Sequence, residues 1–389
     1  LTLKLLIVST LDSQEPFGAF TRPFYLGMYL ARHFEVYQLG IDCSAVDYAQ
    51  SSSIGSRSLK SYVQKIQQVI QEFQPDIVYA QETLPGISAW LTFVLKKPQK
   101  CRLVFDFHTL SAFEYATRLN SAPNRLNQLT QLVKTYIAQG ILINANKPII
   151  AASQSIIDLI PKWYKTLPAQ IYCASNGVAD DLLKINAVDF VDPYLKLRSL
   201  NPTNSNIQST KIVAVIAPKT FSFPTNDMSV AMTVEIAQYL ESRQSNIQIV
   251  VIGRDQSGLE QPLPSNLSFT GFLPQRSDFL AHLVYVDVGL LPFSQEAVAG
   301  GARNKALDYL ACQKLVVSTP EGLRGLTEFC DRQHLLVSGY AVTEIAETLI
   351  DACHNLDNYQ PLAQAAYQLI QDKYSWSAMA DQIAEILHQ

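Results

Sequence analysis

The sequence predicts an α/β protein made of two successive parallel α/β units. Three observations carry that prediction. Short, almost wholly apolar runs alternate with longer segments of helical periodicity, the pattern of a parallel sheet covered on both faces. The rhythm breaks over the polar, turn-rich stretch 199–209 and then restarts. The chain has 389 residues, enough for two domains of roughly 100–200 residues each.

In the first unit the run 5–9, with the branched pair Ile7 and Val8, reads as the opening strand. A loop with Pro16, Phe17 and Gly18 follows, then a helix over 22–33 and a strand over 34–40. A helix over 58–73 precedes a strand over 76–80. The next helix covers 85–95, where Pro85 is tolerated because a first-turn N–H needs no helical partner. A strand over 103–107, a helix over 121–139, a strand over 149–152, a helix from 153 and a strand over 172–174 complete the unit. Pro148 suits a strand start and not a strand interior.

The second unit repeats the alternation. Strands are predicted over 211–216, 247–252, 267–270, 286–291, 314–318 and 335–337. Helices are predicted over 228–241, 275–282, 303–312, 322–329, 342–354, 360–371 and 376–388. The domains are accordingly placed at 1–190 and 211–372, joined by a linker over 191–210.

Composition narrows the function. Hydrophobic residues make up 48% and charged residues 16%, which is globular and far from a disordered chain. The net charge of -4 argues against a nucleic-acid partner. No apolar stretch is long enough to span a bilayer and no secretory signal is visible, so a cytoplasmic protein is expected. Cysteines at 43, 101, 173, 312, 330 and 353 are too scattered for a zinc site or a disulfide framework, so no metal is expected. Residues 1–200 carry 19 basic and 15 acidic side chains, whereas 201–389 carry 11 and 19. Lys96, Lys97 and Lys100 form the densest basic patch, read either as a solvated loop or as peripheral contact with an anionic membrane face.

Ligands of open α/β sheets bind beyond the C-terminal ends of the strands, so the residues there are the candidates. Gly18 follows the first strand, as a turn glycine or as a point of close approach to a ligand. It lies outside any GxGxxG pattern, which argues against a nicotinamide enzyme. His108, closing Asp106-Phe107-His108, can donate to a sugar hydroxyl or stabilise developing charge; the plainer reading is a structural histidine. Asn176-Gly177 is by itself a turn signal. Lys219 and Arg254, each after a strand, are read as phosphate contacts or as solvated cations. The most informative segment runs from Glu296 to Cys312. Gly300 and Gly301 free backbone N–H groups at a helix start, Lys305 adds a positive charge, and Asp308 shares its face. Together they suit a nucleotide-diphosphate site; the alternative is a surface Lys–Asp pair.

The order and spacing of these segments resemble the retaining glycosyltransferases with two Rossmann-like domains facing a central cleft. This is the GT-B fold of glycosyltransferase family 4 and glycosyl transferases group 1, which includes bacterial glycogen synthases and lipopolysaccharide sugar transferases. His108 resembles the family's sugar-contacting histidine, and Ile149–Ser155 its apolar strand followed by Ser-x-Ser. Ser175-Asn176-Gly177-Val178 resembles its Pro-Asn-Gly-Val turn, and Phe269-Thr270-Gly271 its Phe-x-Gly segment. Pro292 with the run from Gly300 to Cys312 resembles its donor-binding helix, and Ser375-Trp376 the start of its last helix. Where the family pattern has two glutamates, this chain has Gly300 and Asp308; Ala217 and Gln313 stand where glycines are usual.

The resemblance implies a retaining hexosyltransferase of polysaccharide biosynthesis. It would use a UDP- or GDP-sugar as donor, without a metal or other cofactor, and a saccharide, lipid-linked or small-molecule hydroxyl as acceptor. The donor would lie on the second domain, its diphosphate met by Lys305, Arg303, Asn304, Lys219, Arg254 and the N–H groups near Gly300 and Gly301. Asp308 would accept from the ribose. On the acceptor-binding first domain Gly18 and Asn176 would help bind the nucleotide-sugar donor and His108 would reach the donor sugar, with His108, Lys305 and Asp308 as the catalytic residues. Residues 373–389 would form a helix returning to the first domain. The alternatives are a catalytically degenerate nucleotide-sugar-binding partner of another transferase and a sugar-nucleotide epimerase of the same architecture.

Overall fold

The computed structural model describes residues 2–14, 21–98, 100–119, 124–199, 210–218, 224–297 and 301–389. The chain divides into two compact units. One comprises Leu1–Gly177, Gly300–Ala302 and Tyr374–Gln389; the other comprises Val178–Ala299 and Arg303–Lys373.

The first unit runs β1 (Lys4–Val8), α1 (Thr21–Leu30), β2 (Glu35–Gly40), β3 (Gln50–Ser53), α2 (Leu59–Phe73), β4 (Ile77–Gln81), α3 (Thr83–Lys96), β5 (Arg102–Phe107), α4 (Ser111–Thr117), α5 (Arg125–Ile143), β6 (Ile149–Ala151), α6 (Gln154–Tyr164) and β7 (Ile171–Cys173). Its seven strands form one parallel sheet in the order β3-β2-β1-β4-β5-β6-β7. Strand order reverses between β1 and β4, where Leu5–Val8 lie opposite Ile77–Ala80. The central strands are buried on both faces and mostly apolar, with the polar residues Gln81 and Asp106 near their C-terminal ends. On one face Tyr62, Ile66, Val69 and Phe73 of α2, at helical spacing, pack with residues of α3, α5 and α6.

The second unit runs α7 (Asp180–Leu183), α8 (Leu195–Arg198), β8 (Lys211–Ile216), α9 (Pro224–Ser242), β9 (Ile247–Ile252), β10 (Leu267–Phe269), α10 (Arg276–Tyr285), β11 (Val288–Leu291), α11 (Asn304–Ala311), β12 (Leu315–Ser318), β13 (Leu336–Val337), α12 (Val342–His354) and α13 (Leu356–Lys373). Its six-stranded parallel sheet has the order β10-β9-β8-β11-β12-β13, so order reverses between β8 and β11. Helix α11 seats tightly on this sheet. Tyr309 donates its hydroxyl proton to Ala214 O and accepts from Ile216 N, and a Cβ built on Gly289 would lie 2.5 Å from its ring.

The last helix, α14 (Trp376–His388), packs in the first unit against α1. Trp376 stacks on Tyr25 and His388 on Phe34. Ser375 caps α14 by accepting from Ala378 N.

Several elements differ from their predicted form. Helix α5 starts at Arg125, where Asn124 accepts from Asn127 N, and extends to Ile143. The helix predicted over 322–329 is a single 3₁₀ turn, Pro320–Leu323. Helix α13 begins at Leu356 and carries Pro361 inside it rather than in its first turn.

Candidate functional site

Both points of strand reversal gather polar side chains, and these are the expected ligand positions of open α/β sheets.

In the second unit the segment after β11 brings Phe293 beneath two cations. The Arg303 guanidinium lies 3.7 Å from the Phe293 ring centroid and the Lys305 ammonium 5.4 Å. Arg303, only 7% exposed, donates to Thr225 Oγ1 at 3.2 Å and to Ala297 O, and lies 3.6 Å from the buried Glu321. Glu321 is also gripped by Arg324. Lys305, at the start of α11, donates to Asn226 Oδ1 at 2.6 Å, and Asn226 in turn donates to Pro218 O at 2.9 Å. An amide and a ring thus meet the Lys305 ammonium where a carboxylate would neutralise it. Burial, reinforced by Arg303 and opposed by Asp308, pushes Lys305 down to about 7. Burial likewise raises Asp308 to about 6, with Arg276 and Lys305 acting the other way. Arg254, at the end of β9, is buried and donates to Asp227 Oδ1 at 2.6 Å.

In the first unit a buried network stands behind the strand ends. Arg22, at the start of α1 and 3% exposed, donates through Nη2 and Nε to Asp106 Oδ2 at 2.9 and 3.3 Å. It also donates to Ala174 O, Ser175 O and Asn176 Oδ1. Burial works against the Arg22 charge, but Asp106 and Tyr79 together outweigh it, so the guanidinium is held firmly protonated. Tyr79 donates to the same Asp106 oxygen. His108 lies against this network, with Nε2 3.4 Å from Asp106 Oδ1 and Nδ1 2.9 Å from Glu82 Oε1. Glu82 follows β4 with φ 75°, a strained backbone for a residue with a side chain. Its N–H donates to Asp106 O at 2.8 Å. Gly301, which counts with this unit, has no room for a side chain: a Cβ would lie 2.8 Å from His108 O.

Two family models match successive parts of the chain: Glycosyltransferase Family 4 over residues 48–182 and Glycosyl transferases group 1 over residues 221–355. The chain is a GT-B-fold glycosyltransferase related to glycosyltransferase family 4.

Solved structures agree on the fold of this glycosyltransferase. Sucrose-phosphate synthase from Thermosynechococcus elongatus is 13% identical, with a TM-score of 0.73, over 100% of this chain and 98% of that one. Anabaena Alr3699/HepE, crystallised with UDP and glucose, is 15% identical with a TM-score of 0.71 over 99% of both chains. A glycosyltransferase from Rickettsia africae is 15% identical with a TM-score of 0.68, covering 98% of this chain and 97% of that one. No curated protein matches the glycosyltransferase significantly by sequence.

The predicted residues fall into two groups. Arg303 and Lys305 come together over Phe293, which was not predicted, at the end of β11, with Asn304 exposed as the first residue of α11. Asp308 lies one turn further along the same helix. Arg254 is tied to Asp227 and so is not a solvated cation. Asn176 accepts from Arg22, and His108 pairs with Glu82 and Asp106. Gly18, Lys219 and Gly300 lie outside the described residues. Among the described residues no cluster of three or more His, Cys, Asp or Glu is arranged to hold a metal ion.

Sequence reasoning missed Arg22, Glu82 and Phe293. Glu82 carried the one usable signal, being a charged residue directly after an apolar strand.

Proposed function

We propose that the glycosyltransferase moves a hexosyl group from a UDP- or GDP-sugar to a hydroxyl of a saccharide, lipid-linked or small-molecule acceptor, with retention at the anomeric carbon and without a divalent metal. The observation that carries this reading is the pair Arg303 and Lys305 over Phe293, beside the strand reversal of the second sheet. A sugar-nucleotide bond breaks with oxocarbenium character and leaves a diphosphate, whose developing charge needs preorganised cations. Arg303 and Lys305, with Arg254 from the loop after β9, supply them; Lys305 takes up a proton as the anion arrives. Asp308 accepts from the ribose.

In this proposal His108 hydrogen-bonds the donor sugar and Glu82 orients its ring. Retention follows from acceptor attack on the face the diphosphate leaves, with a departing phosphate oxygen taking the acceptor proton. The Anabaena relative crystallised with UDP and glucose supports that ligand class.

The test is a panel of UDP-, GDP- and ADP-sugars. A UDP- or GDP-sugar should raise Tm and be slowly hydrolysed, and the transferred sugar should keep its anomeric configuration by NMR. An inverted product would overturn retention. Binding with neither hydrolysis nor transfer would leave a nucleotide-sugar binder in place of a transferase.

A further inference from the structure

Helix α5 presents an apolar face to the outside. Leu126, Leu129, Val133, Tyr136 and Ile137 are between 40% and 77% exposed. At 3.6 residues per turn these five fall within an arc of about 100°. Arg125 borders the arc on one side and Lys134 on the other, and α5 contains no acidic residue. Tyr136 extends the face: it donates to Trp163 O at 3.1 Å and stacks on Tyr164, beside the exposed Lys162, Lys165 and Leu167. Helix α3, packed along α5, ends in exposed Val94, Leu95, Lys96 and Lys97.

The charged side chains on and beside this face are basic: Arg125 and Lys134 on α5, Lys162 and Lys165 next to Tyr164, and Lys96 and Lys97 at the end of α3. A second copy of the chain docking face to face would set basic rim against basic rim, since a two-fold interface pairs a patch with itself. An apolar stripe edged by cations, with Trp and Tyr beside it, matches instead the headgroup zone of a bilayer carrying negative lipids.

We propose that the outer face of α5 docks the protein on an anionic lipid bilayer, the stripe entering the headgroup–acyl boundary and the flanking Arg and Lys meeting lipid phosphates. This does not rest on the sugar-transfer reading, because none of these residues belongs to either polar cluster. No helix among the described residues is long and apolar enough to cross a membrane, so α5 would lie in the interface plane.

The experiment is vesicle sedimentation of the whole chain with phosphatidylcholine alone and with phosphatidylcholine containing about 30% phosphatidylglycerol. Binding is expected to the anionic vesicles and to weaken in high salt. The variant Leu129→Ser/Val133→Ser/Ile137→Ser should lose at least about tenfold in vesicle affinity. Lys134→Glu/Lys162→Glu, which leaves the stripe intact, should weaken binding in the same direction. Circular dichroism and Tm check that both variants fold. Equal partition onto neutral vesicles, no binding at all, or undiminished binding by both folded variants would overturn the proposal. So would a wild-type dimer that the serine variant converts to monomer, which would assign the face to a second copy.

Discussion

His108 Nδ1 lies 2.9 Å from the carboxylate of Glu82, and Glu82 reaches it from a backbone whose φ is 75°. That conformation is close to glycine-only and costs about 1–3 kcal/mol. Strand β4 delivers the chain into it, and the Glu82 N–H is tied to Asp106 O. The Glu82 carboxylate thus stands at ion-pair distance from the His108 ring.

If Glu82 positions His108 as proposed, Glu82→Gln, which removes the charge beside the ring, should lower kcat by about 10–100-fold, with a smaller effect on donor Kd. Glu82→Gly should lower kcat as well, yet raise stability by about 1 kcal/mol by removing the strain. Steady-state kinetics and urea unfolding on the two variants separate the effects. Unchanged kcat in both would remove Glu82 from the site.

If Lys305 meets the donor diphosphate as proposed, its pKa, pushed down to about 7, should make diphosphate binding pH-dependent. The protonated ammonium is the form that attracts the anion. It predominates below about 7 and is lost as pH rises through that value. Nucleotide affinity should be level on the acid side and fall by about tenfold per pH unit well above neutrality. Calorimetry in buffers of different ionisation enthalpy should show proton uptake on binding near neutral pH. Lys305→Met should abolish both the uptake and the slope.

The Arg22–Asp106 pair is buried, and removing one partner strands the other. Arg22→Met should destabilise the first unit by about 3–5 kcal/mol. The double variant Arg22→Met/Asp106→Asn should recover part of that loss, because no unpaired charge is left inside. Urea unfolding of the four proteins in the cycle measures the coupling; additive losses would mean the two side chains act independently.

Gly177 is predicted to tolerate no substitution. A Cβ there would lie 2.7 Å from Trp376 N and 2.8 Å from Trp376 Cα, and backbone cannot swing aside as a flexible side chain can. Gly177→Ala should cost about 1–3 kcal/mol in urea unfolding. A neutral effect would show that α14 shifts freely on its seat.

The sheets were legible because strands buried on both faces must be apolar throughout, as in Ile77–Ala80 and residues 212–216. The edge strand β3, Gln-Ser-Ser-Ser, carries no such mark, since half-exposed edge positions do not require apolar side chains. The helix predicted over 360–371 is longer in the structure, beginning at Leu356 and holding Pro361 past its first turn. Lys305 and Arg303 stood out after a strand and two glycines. Arg22 did not, because an arginine at a helix start reads as a surface cation and its partners lie 84 and more residues away. The strain at Glu82 is a backbone property with no signature in residue type. Gly177 was read as half of an Asn-Gly turn, whereas the close approach of Trp376 is what excludes a side chain.

Helix α14 also sets the order of events during synthesis. On the ribosome the first seven strands emerge early, but Trp376, Ile383 and Leu387, which are buried in the same unit, emerge only after all of Arg303–Lys373 has been made. Until then the surface of α1 that receives them, including Tyr25, has no cover. The nascent first unit is thus an unfinished body waiting on the closing residues, and a nonsense mutation that removes α14 would harm the unit made first.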